Sequence, residues 1–398
     1  MLTTAEAREA ILSAMPTFAP ERTPAGSANG RVLRQSVYAE RDQPPFDRVM
    51  MDGIAIVHTD FAGGSRQFPL QAMQAAGDAA LTLQPGQCIE IMTGAALPEN
   101  ADCIIPVERI AFANGVATLA EDYTAESRQF IHTRASDHAA GTELLTAGKT
   151  ISPLDIAIIA SCGLTEVEVS RRPVIRVIST GNELVAAGQP ITPHQIRLSN
   201  GPAMQAMLGA HGFTDCAHDH LVDDREILRD RIREHLTQAD VLILSGGVSM
   251  GKADYVPEVL AELGVKMVFH KVSQRPGKPM WFGMGPDEKA VFALPGNPVS
   301  ALVCCRQYVI SALQAASAMI LLPPEFAALA TDIRFQPDLT CFQPVRLISN
   351  AAGQTLAMPV TTNTSGDFTA LSATDGYVEL PRGQDDFAAG TPVFVQRW

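Results

Sequence analysis

Three apolar runs near the middle of the chain, "VIRVIST", "ADVLILSGG" and "AVFALPG", all stop at turns built from serine, threonine, glycine and proline. Between residues 174 and 312 they alternate with stretches of helical spacing: "GPAMQAMLGAHG", "REILRDRIREHLTQ", "DYVPEVLAELG" and "PVSALVCCRQYVISALQ". "TDCAHDHLV" and "KMVFHKV" are read as further strands of the same region. Strands that alternate with helices imply right-handed βαβ units. The expected fold class is therefore α/β, with a central, doubly wound, mainly parallel sheet.

The flanks differ from this core. Residues 4–15 have a short helical stripe of Ala7, Ala10, Ile11 and Ala14. "GRVLRQSVYAE" alternates and is read as a strand or the end of a helix. Pro44 and Pro45 force an extended entry, and Asp52-Gly53 marks a turn before the apolar stretch Ile54–Val57. From 65 to 130, "QFPLQAM", "CIEIMTG", "ADCIIPVERI" and "GVATLA" read as short strands of a β-rich domain. Ser152-Pro153 opens a helix that Gly163 closes. "TEVEVSRRP" alternates as a strand and leads to a linker at Pro173. After Leu321-Leu322-Pro323-Pro324 the alternation ends, and 327–398 gives short strands, a small barrel or sandwich. A length of 398 residues allows two to four such domains.

Hydrophobic residues make up 46% of the chain and charged ones 18%, enough to bury a sizeable core. The net charge of −13 argues against a nucleic-acid surface, which needs a basic stripe. Seven cysteines in no CxxC pair argue against a disulfide framework or structural zinc. The acidic, helix-spaced start is unlike a signal peptide, and no uninterrupted apolar segment of 18 residues predicts a membrane span. A cytoplasmic protein with no membrane partner is the expectation.

In an open parallel sheet, ligands sit beyond the carboxyl ends of the strands. Ser245-Gly246-Gly247 lies at such an end, where glycine lets main-chain N–H groups approach an anion. Asp254 lies nine residues beyond Ser245, placed to accept from a ligand hydroxyl, to hold a divalent cation, or simply to cap the next helix. Ser179-Thr180-Gly181 of "STGNEL" ends a second strand, and Pro295-Gly296 of "LPGNPVSA" a third, with Asn297 and Pro298 opening a helix. "RPGKP" (275–279) puts Lys278 on a Pro-Gly turn. Together these turns predict one crevice for a phosphate-bearing ligand. Ser245 and Ser249 lack a "GxSxG" frame and are read as phosphate donors rather than nucleophiles.

These motifs, with "IMTGAALPENADCIIPVE" and "PPFDRVMMDGIAI", resemble the MoeA-type molybdopterin molybdenumtransferases, the family that includes the gephyrin E domain. The resemblance spans essentially the whole chain. It implies a homodimer whose central domain is MogA-like. It also implies five parts: an N-terminal helix (1–25) packing on the central domain, a linker domain (26–44 and 141–172), a β-rich domain (45–140), the molybdopterin-binding domain (173–324) and a C-terminal β-barrel (325–398). The implied reaction converts adenylylated molybdopterin (molybdopterin-AMP) and molybdate into the molybdenum cofactor. AMP is released and a divalent cation such as Mg²⁺ is required. A MogA-type adenylyltransferase and molybdoenzyme-maturation proteins are the implied partners.

Carried onto this chain, the resemblance assigns Asp52, Thr93, Asp137, Glu183, Asp254 and Lys278 to catalysis, with Glu183 and Asp254 at the metal. It assigns Gly94, Ser179, Thr180, Gly181, Ser245, Gly246, Gly247, Ser249, Arg275, Pro276, Gly277, Pro295, Gly296, Asn297 and Ser365 to ligand binding. Asp52, Thr93 and Gly94 would serve the central cleft across the dimer interface. The chain also departs from the family pattern. Arg48-Val49-Met50 replaces Asn-Ser-Ala, Ile54 a Tyr, Asn182 and Leu198 each an Asp, Arg275 a Lys, and "RASD" stands for "RGED". Losing carboxylates at 182 and 198 weakens any cation site built on them. The departures therefore leave three readings: a divergent but active enzyme, a paralogue with altered metal or substrate preference, or a non-catalytic carrier of molybdopterin or its finished cofactor. A scaffold like the animal relative is a separate alternative, with no long linker or extra domain to support it.

Three other clusters have competing readings. His218 and His220 point the same way along a strand and can hold zinc, or they simply close a βα unit while Asp223 and Asp224 cap the next helix. Cys304-Cys305 is core packing or a Cys-His nucleophile without a marked partner. Arg171-Arg172 is a solvated linker or a phosphate contact.

Overall fold

The computed structural model describes residues 1–247 and 255–398. The chain divides into two units. One comprises Met1–Arg34, Gly148–Ser152 and Glu166–Trp398; the other comprises Gln35–Ala147 and Pro153–Thr165.

The first unit is built on the expected sheet. Strands Cys216–Leu221, Ile175–Thr180, Val241–Ser245 and Ala290–Leu294 lie in that order, all parallel. Trp281–Met284 and Lys266–His270 complete it as antiparallel strands. The first of these two is a strand that the periodicity does not announce. The run Val241–Ser245 is apolar throughout because both faces of the sheet are covered. Val241 and Ile243 pack into one core with Ile175, Met204 and Tyr308, while Leu242 and Leu244 pack into the other with Ile178, Ile232 and Val256. Each such side chain contributes about 1.5–3 kcal/mol by leaving water.

The helices begin where local chemistry says they should. Thr3 and Glu6 form a capping box ahead of Thr4–Ala14, whose Ala7 and Ile11 enter the first core. Asp224 caps Arg225–Gln238 by accepting from Glu226 N–H and Ile227 N–H. Pro298–Ala316 is long and apolar enough to cross a membrane by length and composition, though Arg306, Gln307 and Gln314 interrupt its apolar run, and it is mostly buried as the core helix of this unit. Its middle, Cys305–Ile310, winds as a π-helix.

The C-terminal strands Thr340–Ser349, Thr355–Pro359, Glu325–Leu329, Pro392–Arg397 and Gly376–Leu380 close into a five-stranded barrel. Closure leaves no free edges within the ring. Gln274–Arg275 pairs with this barrel, in register with Thr340 and Cys341.

The second unit has a six-stranded mixed sheet in the order Cys103–Pro106, Gly53–Ile56, Cys88–Ile91, Gln67–Gln74, Val116–Leu119 and Ile110–Ala113. Its two cores lie on opposite faces, Ala55, Ile89 and Ile104 on one and Ile54, Cys88 and Ile105 on the other. The helix expected after Ser152-Pro153 is Pro153–Ser161.

Candidate functional site

In the first unit, three strand ends meet. Ser179 and Thr180 end one parallel strand, Ser245 its neighbour and Leu294 the next, and all four are buried. Gly246 has φ +99, and a Cβ there would stand 2.6 Å from Thr180 O and 2.9 Å from Thr180 Oγ1, so only glycine fits. A Cβ on Gly296 would stand 3.6 Å from Gly246 Cα. Asn200, at the start of the helix Asn200–Ala210, ties the turns together: its Nδ2 donates to Ser245 Oγ at 3.0 Å and to Gly296 O at 2.7 Å. Thr180 Oγ1 is buried with no hydrogen-bond partner among the described residues. It is a buried hydroxyl packed against Gly246 and Gly247.

Two details differ from expectation. The N–H groups of Gly181 and Gly246 do not open into an anion nest; they donate to Leu221 O at 3.2 Å and Leu294 O at 3.3 Å, prolonging the sheet. Asn297 sits at the N-cap position of Pro298–Cys304 but makes no cap bond. Its Nδ2 donates instead to Ser365 Oγ at 2.8 Å, and Val299 N–H donates to Ser365 O at 3.0 Å, so the C-terminal segment joins this end of the sheet.

Glu183 is exposed, and its carboxylate folds over Gly181: a Cβ on that glycine would stand 2.5 Å from Glu183 Oε2. Asn182 is engaged elsewhere, its N–H donating to Asp223 Oδ2 at 3.3 Å and its Oδ1 accepting from Asp223 N–H at 3.1 Å. Asp223 therefore does not share the helix cap with Asp224. Leu198 is half-buried and offers no oxygen ligand from its side chain. Ser249 and Asp254 lie outside the described residues. No group of three or more His, Cys, Asp or Glu that could hold a metal occurs among the described residues. An exposed carboxylate such as Glu183 fits Mg²⁺ nonetheless, since that ion is held through one or two carboxylates plus substrate phosphates rather than by a protein cage.

The Arg275–Lys278 turn is fastened from below. Gly277, with φ +91, packs so tightly that a Cβ would stand 2.7 Å from Gln274 Nε2 and closer still to Cys304 Sγ. Fully buried Gln274 donates to Pro276 O at 3.1 Å and accepts from Tyr308 O–H, a residue of the π-helix. Lys278 is exposed, and its carbonyl accepts from Val272 N–H at 2.9 Å. No hydrogen bond or ion pair among the described residues joins the Lys278 side chain to the strand-end cluster. The Arg275 guanidinium lies 6.0 Å from the centre of the Phe335 ring.

His218 Nε2 meets Ser179 Oγ at 3.0 Å, and His220 Nε2 meets Gly181 O at 2.9 Å, so both rings brace the first strand end. Asp219 accepts from Arg231 at 2.7 Å and from His235 at 2.9 Å. Arg171 is neither a solvated linker nor a free phosphate contact: it forms two hydrogen bonds with Asp240, at 2.8 and 3.1 Å. Cys304 and Cys305 are fully buried, and burial pushes the Cys305 thiol up to about 12, which removes the thiolate a nucleophile needs.

The second unit carries its own polar cluster. Asp52 Oδ1 accepts from Thr93 Oγ1–H and Thr93 N–H, each at 2.6 Å. The Thr93 hydroxyl and then its main-chain N–H hold the Asp52 carboxyl below the usual range. Gly94, with φ +89, donates its N–H to Val49 O at 2.9 Å. The strand Arg48–Val49 thus runs beside the Thr93 turn. It also pairs with Ile131–His132. His132 Nε2 lies 3.0 Å from Asp137 Oδ1, and His132 Nδ1 lies 3.1 Å from Arg48 Nη2. Asn200 and His132 are site neighbours that sequence reasoning missed; His218, singled out as a candidate zinc ligand, instead meets Ser179. The departure at Leu198, two residues before Asn200, pointed near the first of them.

Comparison with known proteins gives a consistent result. Residues 2–163 match the model described as MoeA N-terminal region (domain I and II), 176–315 that of a probable molybdopterin binding domain, and 327–398 that of the MoeA C-terminal region (domain IV). The chain is 40% identical over 393 residues to a molybdopterin molybdenumtransferase of Synechocystis sp., covering 98% of each chain. It is 33% identical to one of Synechococcus elongatus, over 95% of this chain and 94% of the relative. The one of Bacillus subtilis is 30% identical, over 92% and 86%. A crystal structure of a molybdopterin biosynthesis MoeA protein from Pyrococcus horikosii aligns with a TM-score of 0.81 at 29% identity, covering 100% of this chain and 99% of that one.

Proposed function

Because the chain belongs to the MoeA family of molybdopterin molybdenumtransferases, we infer that it is a transferase of molybdenum cofactor biosynthesis that inserts molybdate into adenylylated molybdopterin and releases AMP. The observation that carries this reading is the meeting of three strand ends under Asn200, beside a Thr180 hydroxyl that has no partner among the described residues. A phosphate-bearing ligand seated there takes donors from Ser179, Thr180 and Ser245. Arg275 and Lys278 offset its charge. Glu183 and Asp254 would hold Mg²⁺, which supplies neutralisation of the phosphate charge when bound. Asp52, Thr93 and Asp137 act in the metal-insertion step. We further propose a homodimer acting in the cytoplasm, downstream of a MogA-type adenylyltransferase. Support for that compartment comes from the seven cysteines, all of which are free.

The test is turnover by purified protein given adenylylated molybdopterin, molybdate and Mg²⁺. AMP release with formation of active cofactor supports the transferase. Tight pterin binding with no AMP release supports the carrier reading suggested by Asn182 and Leu198. That reading is not favoured, because the side chain at 182 is spent on Asp223 and the relatives are transferases. Removing Mg²⁺ with a chelator should abolish AMP release, and adding it back should restore it.

A further inference from the structure

His132 stands directly opposite Arg48 in an antiparallel pair whose other two residues, Val49 and Ile131, are buried in the core. Alternation along each strand sends Arg48 and His132 to the opposite face. There Arg48 Nη2 lies 3.1 Å from His132 Nδ1. A guanidinium can only donate, so Nδ1 is the acceptor and the ring proton is on Nε2. That proton points at Asp137 Oδ1, 3.0 Å away. One neutral tautomer satisfies both contacts, and the donors run in one direction from Arg48 through His132 to Asp137.

We propose that Arg48 and His132 are positioning residues that hold the Asp137 carboxylate by Oδ1 and leave its second oxygen for the reacting ligand. The inference rests on the reading that Asp137 acts in the metal-insertion step. The main chain at Asp137 is already fixed, since its N–H donates to Gln43 O at 2.9 Å. Only the side-chain torsions remain for His132 to set. Arg128 and Arg134 are committed elsewhere, to Asp47 at 2.7 Å and to Asp42 at 2.6 Å. Arg48 is also one of the residues by which the chain departs from the pattern it resembles, so the device belongs to this sequence.

The test uses the full-length protein with ¹⁵N-labelled histidine, His132 being assigned by loss of its signal in His132→Gln. The expected spectrum has a protonated Nε2 and a bare Nδ1 at His132, and Arg48→Met returns the ring to a mixture of tautomers. In turnover, Arg48→Met and His132→Gln should lower kcat for AMP release about tenfold with little change in KM, and Arg48→Lys should recover most of the loss. A proton on Nδ1 overturns the proposal. So does unchanged turnover in Arg48→Met and His132→Gln when Asp137→Asn is impaired. If Asp137→Asn itself turns over normally, the reading of Asp137 fails and takes this inference with it.

Discussion

Asn200 spans to Gly296: its Nδ2 donates to the glycine carbonyl at 2.7 Å while the same nitrogen reaches Ser245 Oγ at 3.0 Å. One amide therefore sets the spacing between two adjacent strand ends. Asn200→Ala should remove about 1 kcal/mol of turn-holding interaction and weaken AMP binding by roughly fivefold. Asn200→Asp should be worse, because a carboxylate then faces a carbonyl. Isothermal calorimetry with AMP checks both.

Thr93 holds the Asp52 carboxylate by two donors. Thr93→Val deletes the hydroxyl donor and keeps the main-chain one, so the Asp52 carboxyl should move back up toward its ordinary value. Turnover should fall by about tenfold, and Thr93→Ser should restore it. The acid limb of the kcat profile is the measurement, with Thr93→Val shifted to higher pH.

The Lys278 turn depends on two buried contacts. Gly277→Ala drives a methyl into Gln274 and Cys304 from a left-handed backbone, a cost of about 1–3 kcal/mol. Tyr308→Phe leaves the buried Gln274 Oε1 short of its donor, again about 1–3 kcal/mol. Both should lower the midpoint of thermal unfolding and raise KM for adenylylated molybdopterin.

Asp240 gives the first unit an acid sensitivity. Burial opposes its ionisation, but Arg171, Val174 N–H and Lys289 more than offset that, so its folded value is lowered. The stability it contributes is complete above the unfolded carboxylate value, about 3.9. It is lost as pH falls through the lowered folded value. Asp240→Asn should melt earlier than the parent protein at neutral pH and lose less on acidification. Melting temperatures from pH 7 to pH 3 decide it.

Much of this was legible in the sequence because the physics is local. Apolar runs that stop at Ser-Gly-Gly and Ser-Thr-Gly become parallel strand ends, and Asp224 caps the helix its position predicts. Trp281–Met284 is less visible: it is four residues long and carries two glycine-bearing turns beside it, so no period develops. The roles of Asn200 and His132 depend on atoms 96 and 84 residues away in the chain. No window along the sequence contains such pairs. Arg171 looked like linker charge for the same reason, its partner Asp240 being 69 residues distant.

Gln274 and Arg275 borrow their partners from the barrel strand at Thr340 and Cys341. An expressed piece ending near Pro324 would keep the strand ends of the sheet yet strip that pairing away, exposing unsatisfied main chain beneath the lysine-bearing bend. Such a truncation would also remove Ser365 from its contacts with Asn297 and Val299, so weak nucleotide affinity would report a slackened bend and a stripped helix start together, and ligand studies call for the whole chain.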